Sequence, residues 1–143
     1  MVAATQNRNT PTRAGHLRGH PAAAGSVGYA GAIAVMNASG YAEPASTATG
    51  LIALGVYHEG VDNSTGADGD ENAIIERGYF RFANSSGTDE ITRAAIGSAC
   101  YLVDDQTVAL TDGTSTRSKA GIVDDVDAAG VWVRIDPTSG INA

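Results

Sequence analysis

Cysteine and lysine are almost absent from this sequence. Its 143 residues include one cysteine, Cys100, and one lysine, Lys119. A single cysteine cannot close a disulfide within the chain, so the sequence carries no disulfide framework of the kind that indicates secretion. Clustered lysine and arginine provide most of the affinity of nucleic-acid binders, and the formal net charge of −7 therefore argues against a nucleic-acid partner.

Long apolar runs and catalytic motifs are missing as well. No stretch approaches the ~20 apolar residues of a membrane span, and the N-terminus lacks the continuous apolar region of a secretory signal. No serine lies in a G-x-S-x-G turn, no phosphate-binding G-x-x-x-x-G-K-[ST] loop is present, and Cys100 has no catalytic motif around it. We therefore predict a protein made in the cytoplasm that has no membrane partner, no cofactor and no enzymatic activity.

Alanine and glycine, by contrast, are abundant. There are 25 alanines and 18 glycines, so the hydrophobic fraction of 43% includes few large side chains. Charged residues make up 17% of the chain, against roughly 25% in an average soluble domain. A chain of this length forms one domain with a thin core, and we expect contacts with other subunits to supply part of its stability.

Charge is distributed unevenly along the chain. Residues 1–42 carry three arginines and no acidic side chain, whereas residues 43–143 carry six basic and sixteen acidic side chains, a net charge of −10. Proline, glycine and the scarcity of large apolar residues predict an extended N-terminal arm over residues 1–25, followed by a single β-rich domain over residues 26–143. The arm is either a disordered tail or a segment that orders against an acidic neighbouring chain. Its predicted contact residues are Arg8, Arg13, His16, Arg18 and His20.

Short apolar segments separated by turn residues follow the arm. Residues 32–45 form a predicted hairpin around a turn at residues 37–40. Residues 50–59 predict a strand with a bulge at Gly55. Residues 73–83 predict a strand with its two phenylalanines on one face.

The C-terminal half repeats this pattern. Residues 99–110 and 120–137 each predict a hairpin. Between the strands, residues 88–96 begin with acidic side chains and are followed by glycine, as is typical of a short helix. We predict an all-β fold, a compact β-barrel or β-sandwich of about seven to nine short strands, with one short helix at about residues 88–96.

Paired aspartates in the C-terminal hairpins have two interpretations. Asp104 and Asp105 lie twenty residues before Asp124 and Asp125, and side-by-side hairpins could bring the four carboxylates around a hard cation. Neighbouring residues on a strand point to opposite faces, however, and aspartates beside hairpin loops bond nearby backbone N–H groups. We therefore predict turn residues and no metal site.

Two histidines in the arm also have the spacing of metal ligands. His16 and His20 are four residues apart, which would place them on one face of a helix. Gly15, Gly19 and Pro21 oppose a helix at this position. We predict contact residues here, and no metal.

Trp132 is the single tryptophan of the chain. It lies in an alternating apolar segment and belongs either to the core or to a subunit interface, so it joins the candidate contact residues. With Tyr57 and Tyr79 it could also form the stacking platform of a glycan-binding or receptor-binding β-module.

A resemblance to known proteins rests on residues 92–136. Their sequence is TRAAIGSACYLVDDQTVALTDGTSTRSKAGIVDDVDAAGVWVRID. The pattern of a short helix followed by G..CY.VDD.TV and AGIV..VD..GVWV.I resembles a group of small tailed-bacteriophage virion proteins encoded near the major capsid protein. Residues 78–97 fit the same group, and the resemblance covers about half of the chain.

This resemblance implies a structural role and no catalytic residues. Such proteins decorate or cement the capsid: a small β-rich protein, often a homotrimer, binds the outer surface of the virion head and bridges subunits of the major capsid protein. Three alternatives stay open. They are a head-completion or tail virion protein, the glycan-binding or receptor-binding module named above, and a metal-dependent hydrolase that uses the paired aspartates.

Overall fold

The computed structural model describes residues 2–143, and the fold is all-β as predicted. The described residues form twelve strands instead of the predicted seven to nine, because turns divide several of the predicted segments. The strands are β1 Leu17–Pro21, β2 Val27–Gly28, β3 Ile33–Met36, β4 Ala42–Pro44, β5 Ile52–Tyr57, β6 Val61–Asp62, β7 Asn72–Glu76, β8 Gly78–Asn84, β9 Ala99–Leu102, β10 Thr107–Ala109, β11 Lys119–Asp127 and β12 Gly130–Ile135.

These strands form an open sheet, a closed barrel and a small ribbon. The open sheet has the antiparallel order β1-β7-β5-β3-β4, and β2 pairs with β6 in the ribbon. Five strands close the barrel in the order β10-β8-β12-β11-β9. The closing pair, β8 with β10, is parallel, and the other barrel pairs are antiparallel.

Side-chain hydrogen bonds explain two of the predicted hairpin turns. Asn37 follows β3, and its Oδ1 atom accepts hydrogen bonds from the backbone N–H groups of Ser39 and Tyr41, at 3.0 and 3.1 Å. Between β11 and β12, Asp127 Oδ1 accepts from the backbone N–H groups of Ala129 and Gly130, at 2.8 and 3.0 Å. Both turns lie where the sequence predicts them.

The core lies mainly between the open sheet and the barrel. One face of β3 and β5 packs with the barrel interior, where the buried side chains are mostly valine, isoleucine and leucine. A smaller cluster covers the other face of the sheet and includes Leu54, Tyr57 and Ile75. The ribbon closes over Tyr57 so tightly that a Cβ atom on Gly28 would lie 2.4 Å from the Tyr57 ring.

The predicted bulge at Gly55 is present. Ala34 pairs with Gly55 and Val35 with Ala53, so Leu54 is the extra residue on β5. Gly55 has a φ of 148°, and a Cβ atom there would lie 2.1 Å from the carbonyl oxygen of Glu76. The bulge therefore depends on a residue without a side chain.

The predicted strand at residues 73–83 is two strands in two different sheets. β7 belongs to the open sheet and β8 to the barrel, and the chain changes sheet at Arg77 and Gly78. Gly78 has a φ of 154°, which allows the change of direction without steric conflict. The predicted alternation survives within β8, because Phe82 is buried whereas Tyr79 is 57% exposed.

The single short helix predicted at residues 88–96 is instead two 3-10 turns, Gly87–Asp89 and Arg93–Ala95. Ile91 lies between the turns and is buried, and the side chain of Asn84 bonds its backbone on both sides. These bonds hold the connecting backbone extended, so a continuous helix cannot form. Among residues 2–143, no helix is long and apolar enough to cross a membrane.

The boundary of the predicted arm also needs correction. Residues 2–16 are exposed and form no strand. Residues 17–21, by contrast, are β1, and Ala22 and Ala23 are buried. The one large apolar side chain of this segment, Leu17, is 46% exposed, and backbone pairing with β7 and two small buried alanines order the segment instead. Met1, the first residue of the predicted arm, lies outside the described residues.

Candidate interaction surface

Strand β1 forms an edge of the open sheet. Its hydrogen bonding to β7 continues at both ends, where Arg77 N–H donates to His16 C=O at 3.0 Å and Ala22 N–H donates to Glu71 C=O at 2.8 Å. Alternate residues of a strand direct their backbone N–H and C=O groups to opposite sides. The backbone groups of Leu17 and Gly19 therefore point away from β7. No strand of residues 2–143 pairs with that side. The arm therefore leads directly into an open sheet edge.

One backbone group on this edge is covered by the chain itself. The Arg18 guanidinium donates hydrogen bonds to the carbonyl oxygens of Leu17, at 2.8 Å, and Gly15, at 3.2 Å. Gly19 remains exposed beside them. Edge backbone that is neither covered nor paired can bind a further strand.

His20 lies on this edge, near three positively charged arginines. Its side chain is on the same face of the sheet as Arg18, in register with Ala73 of β7. Burial lowers the pKa of His20 from its usual value of 6.5, and the positive charges of Arg77, Arg13 and Arg18 lower it further. His20 is consequently neutral at physiological pH, and the positive charge of the edge comes from arginine.

A cavity of about 390 Å³ lies where β1 approaches the barrel. We call it the cationic pocket; its charged or polar side chains are His16, Arg18, Arg77, Tyr79, Arg134 and Asp136. Asp136 is the single carboxylate of this set and pairs with Arg77 at 3.3 Å and Arg134 at 3.7 Å. A hydrogen bond from the Thr138 hydroxyl, with the two arginines, holds the pKa of Asp136 below its usual value. Three arginines around one ionised carboxylate leave the pocket with excess positive charge.

Trp132 lies on the outer face of the barrel, close to this pocket along β12. It is two residues from Arg134, so both side chains point to the same face. The Arg81 guanidinium carbon is 5.6 Å from the centre of the Trp132 ring, and the indole N–H donates to Asp127 Oδ2 at 3.0 Å. The indole hydrogen bond is the largest contribution to a lowered pKa of Asp127. Trp132 is partly exposed and does not belong to the buried core, and its role in a subunit interface stays a prediction.

The structure brings most of the predicted contact residues together. His16, Arg18 and His20 lie on or beside β1, Arg13 lies close enough to influence His20, and Trp132 lies on the adjoining barrel face. Arg8 is exposed in the extended arm.

The sequence did not indicate three members of the pocket, Arg77, Arg134 and Asp136, and it suggested Tyr79 only as a possible stacking residue. A partial signal was present. The alternation of Trp132 with Arg134 predicts a shared outer face, but nothing local in the sequence indicates that β1 lies beside it.

The paired aspartates have separate roles. Asp104 Oδ1 accepts from Gln106 N–H at 2.9 Å and forms a turn, whereas Asp125 lies within β11 and pairs with Arg93 at 2.8 Å. Within residues 2–143, no three His, Cys, Asp or Glu side chains are grouped so that they could hold a metal ion.

Cys100 is fully buried on β9, and burial raises the pKa of its thiol to about 12. The thiolate needed for nucleophilic chemistry is therefore disfavoured. The surface features described above suit binding through main-chain edges and charge. No protein-family model, curated protein or solved structure matches this chain.

Proposed function

We propose that this chain is a capsid decoration, or cement, protein of a tailed bacteriophage. It binds the outer surface of the head as a homotrimer and bridges major capsid protein subunits. The resemblance of residues 92–136 to small virion proteins supports this function. The structural observation that carries it is the open edge of β1, which continues into the exposed residues 2–16.

The arm supplies the attachment. An extended segment can add to an exposed sheet edge of a neighbouring protein through its main chain, which needs no large side chains. Arg8 and Arg13 then pair with carboxylates beside that edge, because guanidinium groups form strong charge-assisted hydrogen bonds with carboxylates. This mechanism is therefore compatible with the scarcity of large apolar residues in the arm.

Charge favours the outer surface of the shell. Residues 43–143 carry a net charge of −10, and packaged DNA inside a head would repel them. Many copies on one shell would add weak individual contacts into strong overall attachment.

A second candidate, a glycan-binding or receptor-binding module, is favoured by one observation. Trp132 is partly exposed, and Tyr79 on the adjacent strand is 57% exposed. The Arg81 guanidinium already lies over the Trp132 ring, however, and competes with a sugar for that face. Glycan binding that is lost in Trp132→Ala would favour this candidate.

The main test is addition of the purified full chain to expanded empty capsids assembled from its proposed partner, the major capsid protein of the same phage. We expect saturable binding in many copies per particle and a higher melting temperature of the particles. Deletion of residues 2–14 should abolish attachment and leave the circular dichroism spectrum of the body unchanged. Incorporation at a single vertex would favour the head-completion or tail alternative, and absence of binding would overturn the proposal.

Within the arm, charge can be tested separately from main-chain pairing. Arg8→Ala with Arg13→Ala should weaken attachment, whereas the control Arg93→Ala should not, because Arg93 lies outside the arm in the second 3-10 turn and pairs with Asp125. Equal attachment of both variants would remove the arm arginines from the mechanism.

A further inference from the structure

The negative charge of the body is concentrated in one exposed segment. Residues 59–71 contain five carboxylates and no basic side chain. All five are exposed: Glu59, Asp62, Asp68, Asp70 and Glu71. We call this stretch the acidic segment.

Three of these carboxylates are used within the chain. Asp62, Asp68 and Asp70 accept hydrogen bonds from backbone N–H groups and shape the segment. Within residues 2–143, the side chains of Glu59 and Glu71 make no hydrogen bond or ion pair. These two are available to a partner without loss of local structure.

The cationic pocket has the opposite charge and a suitable shape. Arg18 and Arg134 face it, and the Arg134 side chain is 44% exposed. Asp136 already demonstrates that its arginines bind a carboxylate in this geometry. Two further carboxylates would complete charge neutralisation, because one internal carboxylate faces three arginines.

Glu71 cannot reach the pocket of its own chain. The acidic segment ends at Glu71, directly before β7, and Arg77 of the pocket comes directly after β7. A strand of five residues separates its ends by about 17 Å, and pairing with β1 and β5 keeps β7 extended. A direct contact between Glu71 and a pocket of this kind therefore needs a second copy of the chain.

We propose that the cationic pocket of one copy binds the acidic segment of a second copy, so that the chain associates head to tail. Each copy contributes a pocket to one neighbour and an acidic segment to the other, and such a heterologous contact closes into a ring when the rotation between copies allows. The inference deepens the self-association part of the proposed function and rests on it.

Charge reversal in the full chain tests this contact. The pocket variant carries Arg18→Glu and Arg134→Glu, and the segment variant carries Glu59→Arg and Glu71→Arg. The control carries Arg81→Glu and Arg93→Glu, two exposed arginines that do not line the pocket. Sedimentation velocity over a range of protein concentrations measures association, and circular dichroism checks folding.

The native chain and the control should form the same oligomer. The pocket and segment variants should dissociate at least about tenfold more readily, as should the native chain in high salt, because the contact is between charges. The chain that combines all four pocket and segment changes should regain the oligomer. A native chain that stays monomeric, or unchanged association of both variants, would overturn the inference, as would failure of the folded four-change chain to reassociate.

Failure of this inference differs from failure of the proposed function. A monomer that still coats empty capsids would overturn head-to-tail association and leave capsid decoration standing. A head-to-tail oligomer that binds no capsid would overturn capsid decoration and leave head-to-tail association standing.

Discussion

The side-chain amide of Asn84 bonds both backbone groups of Ile91. Its Oδ1 atom accepts from Ile91 N–H at 2.9 Å, and its Nδ2 atom donates to Ile91 C=O at 2.8 Å. Because Ile91 is buried, no solvent can replace either bond. The amide thereby joins the end of β8 to the segment between the two 3-10 turns.

Asn84→Ala should therefore lower the free energy of unfolding by about 2 to 3 kcal/mol, since two backbone groups lose their partners in a buried place. Urea denaturation measures the loss. Asn84→Asp should also destabilise the protein, because a carboxylate still accepts from Ile91 N–H but places a second oxygen against the Ile91 carbonyl, which needs a donor. Asn142→Ala, at the exposed C-terminal end, serves as the control, and equal stability of Asn84→Ala and this control would contradict the assigned role.

Gly55→Ala should destabilise the protein by about 3 kcal/mol or more, because the new methyl group would collide with the backbone at Glu76 and the φ of 148° disfavours alanine. Gly60→Ala is the matched control. Its nearest atom would be a carbonyl oxygen at 3.7 Å, an ordinary contact, and we expect a change within about 0.5 kcal/mol. Thermal or urea unfolding of both variants compares the two glycines directly, and similar unfolding midpoints would refute the bulge requirement.

Asp136 should make stability depend on pH in the acid range. Its pKa in the folded protein is lower than the usual value of 3.8, so the unfolded chain binds the proton more readily. The stabilisation is fully present above the unfolded pKa and is lost as pH falls through the folded pKa. Asp136→Asn should therefore be less stable than the native protein at neutral pH, with the difference shrinking as the pH falls below about 4.

Urea unfolding at several pH values provides this measurement. Asp124→Asn is the control, because Asp124 is exposed and makes no hydrogen bond or ion pair within residues 2–143. If the difference in unfolding free energy between the native protein and Asp136→Asn were the same at pH 3 and pH 7, the Asp136 network would not be the cause of the pH dependence.

Cys100 should be unreactive in the native state. A fully buried thiol with a pKa of about 12 presents almost no thiolate at pH 8, and thiolate is the reactive form. Ellman's reagent should label it only as fast as the barrel opens, and labelling in urea should follow the unfolding transition. Rapid labelling in buffer would mean that β9 separates readily from its neighbours.

Local patterns in the sequence predict the local parts of this fold. Asn37 and Asp127 carry side-chain acceptors that suit the turns they form, and alternation predicts which side of β8 is buried. The sequence does not predict the division between β7 and β8, because the alternation of apolar and polar residues is the same in a strand of the open sheet and in a strand of the barrel. The cause of the missing helix lies just outside the predicted helical segment, since the folded structure brings the Asn84 amide onto Ile91.

The sequence predicts only part of the candidate site, because pairing between segments that are far apart in the sequence assembles the rest. The arm arginines are evident from charge distribution, but Arg77 and Arg134 join Arg18 only after β1 pairs with β7 and the barrel closes. Barrel closure itself depends on the parallel pairing of Thr107 and Val108 with Ala83 and Asn84, which no turn signal indicates.

The antiparallel pairing of β1 with β7 also determines how the molecule carries mechanical load. The arm joins β1 at Leu17, and the hydrogen bonds to β7 run perpendicular to the strand. Tension along the strand axis therefore shears all of these bonds together instead of opening them one after another. A partner that pulls on the arm in this direction meets the combined resistance of the whole ladder.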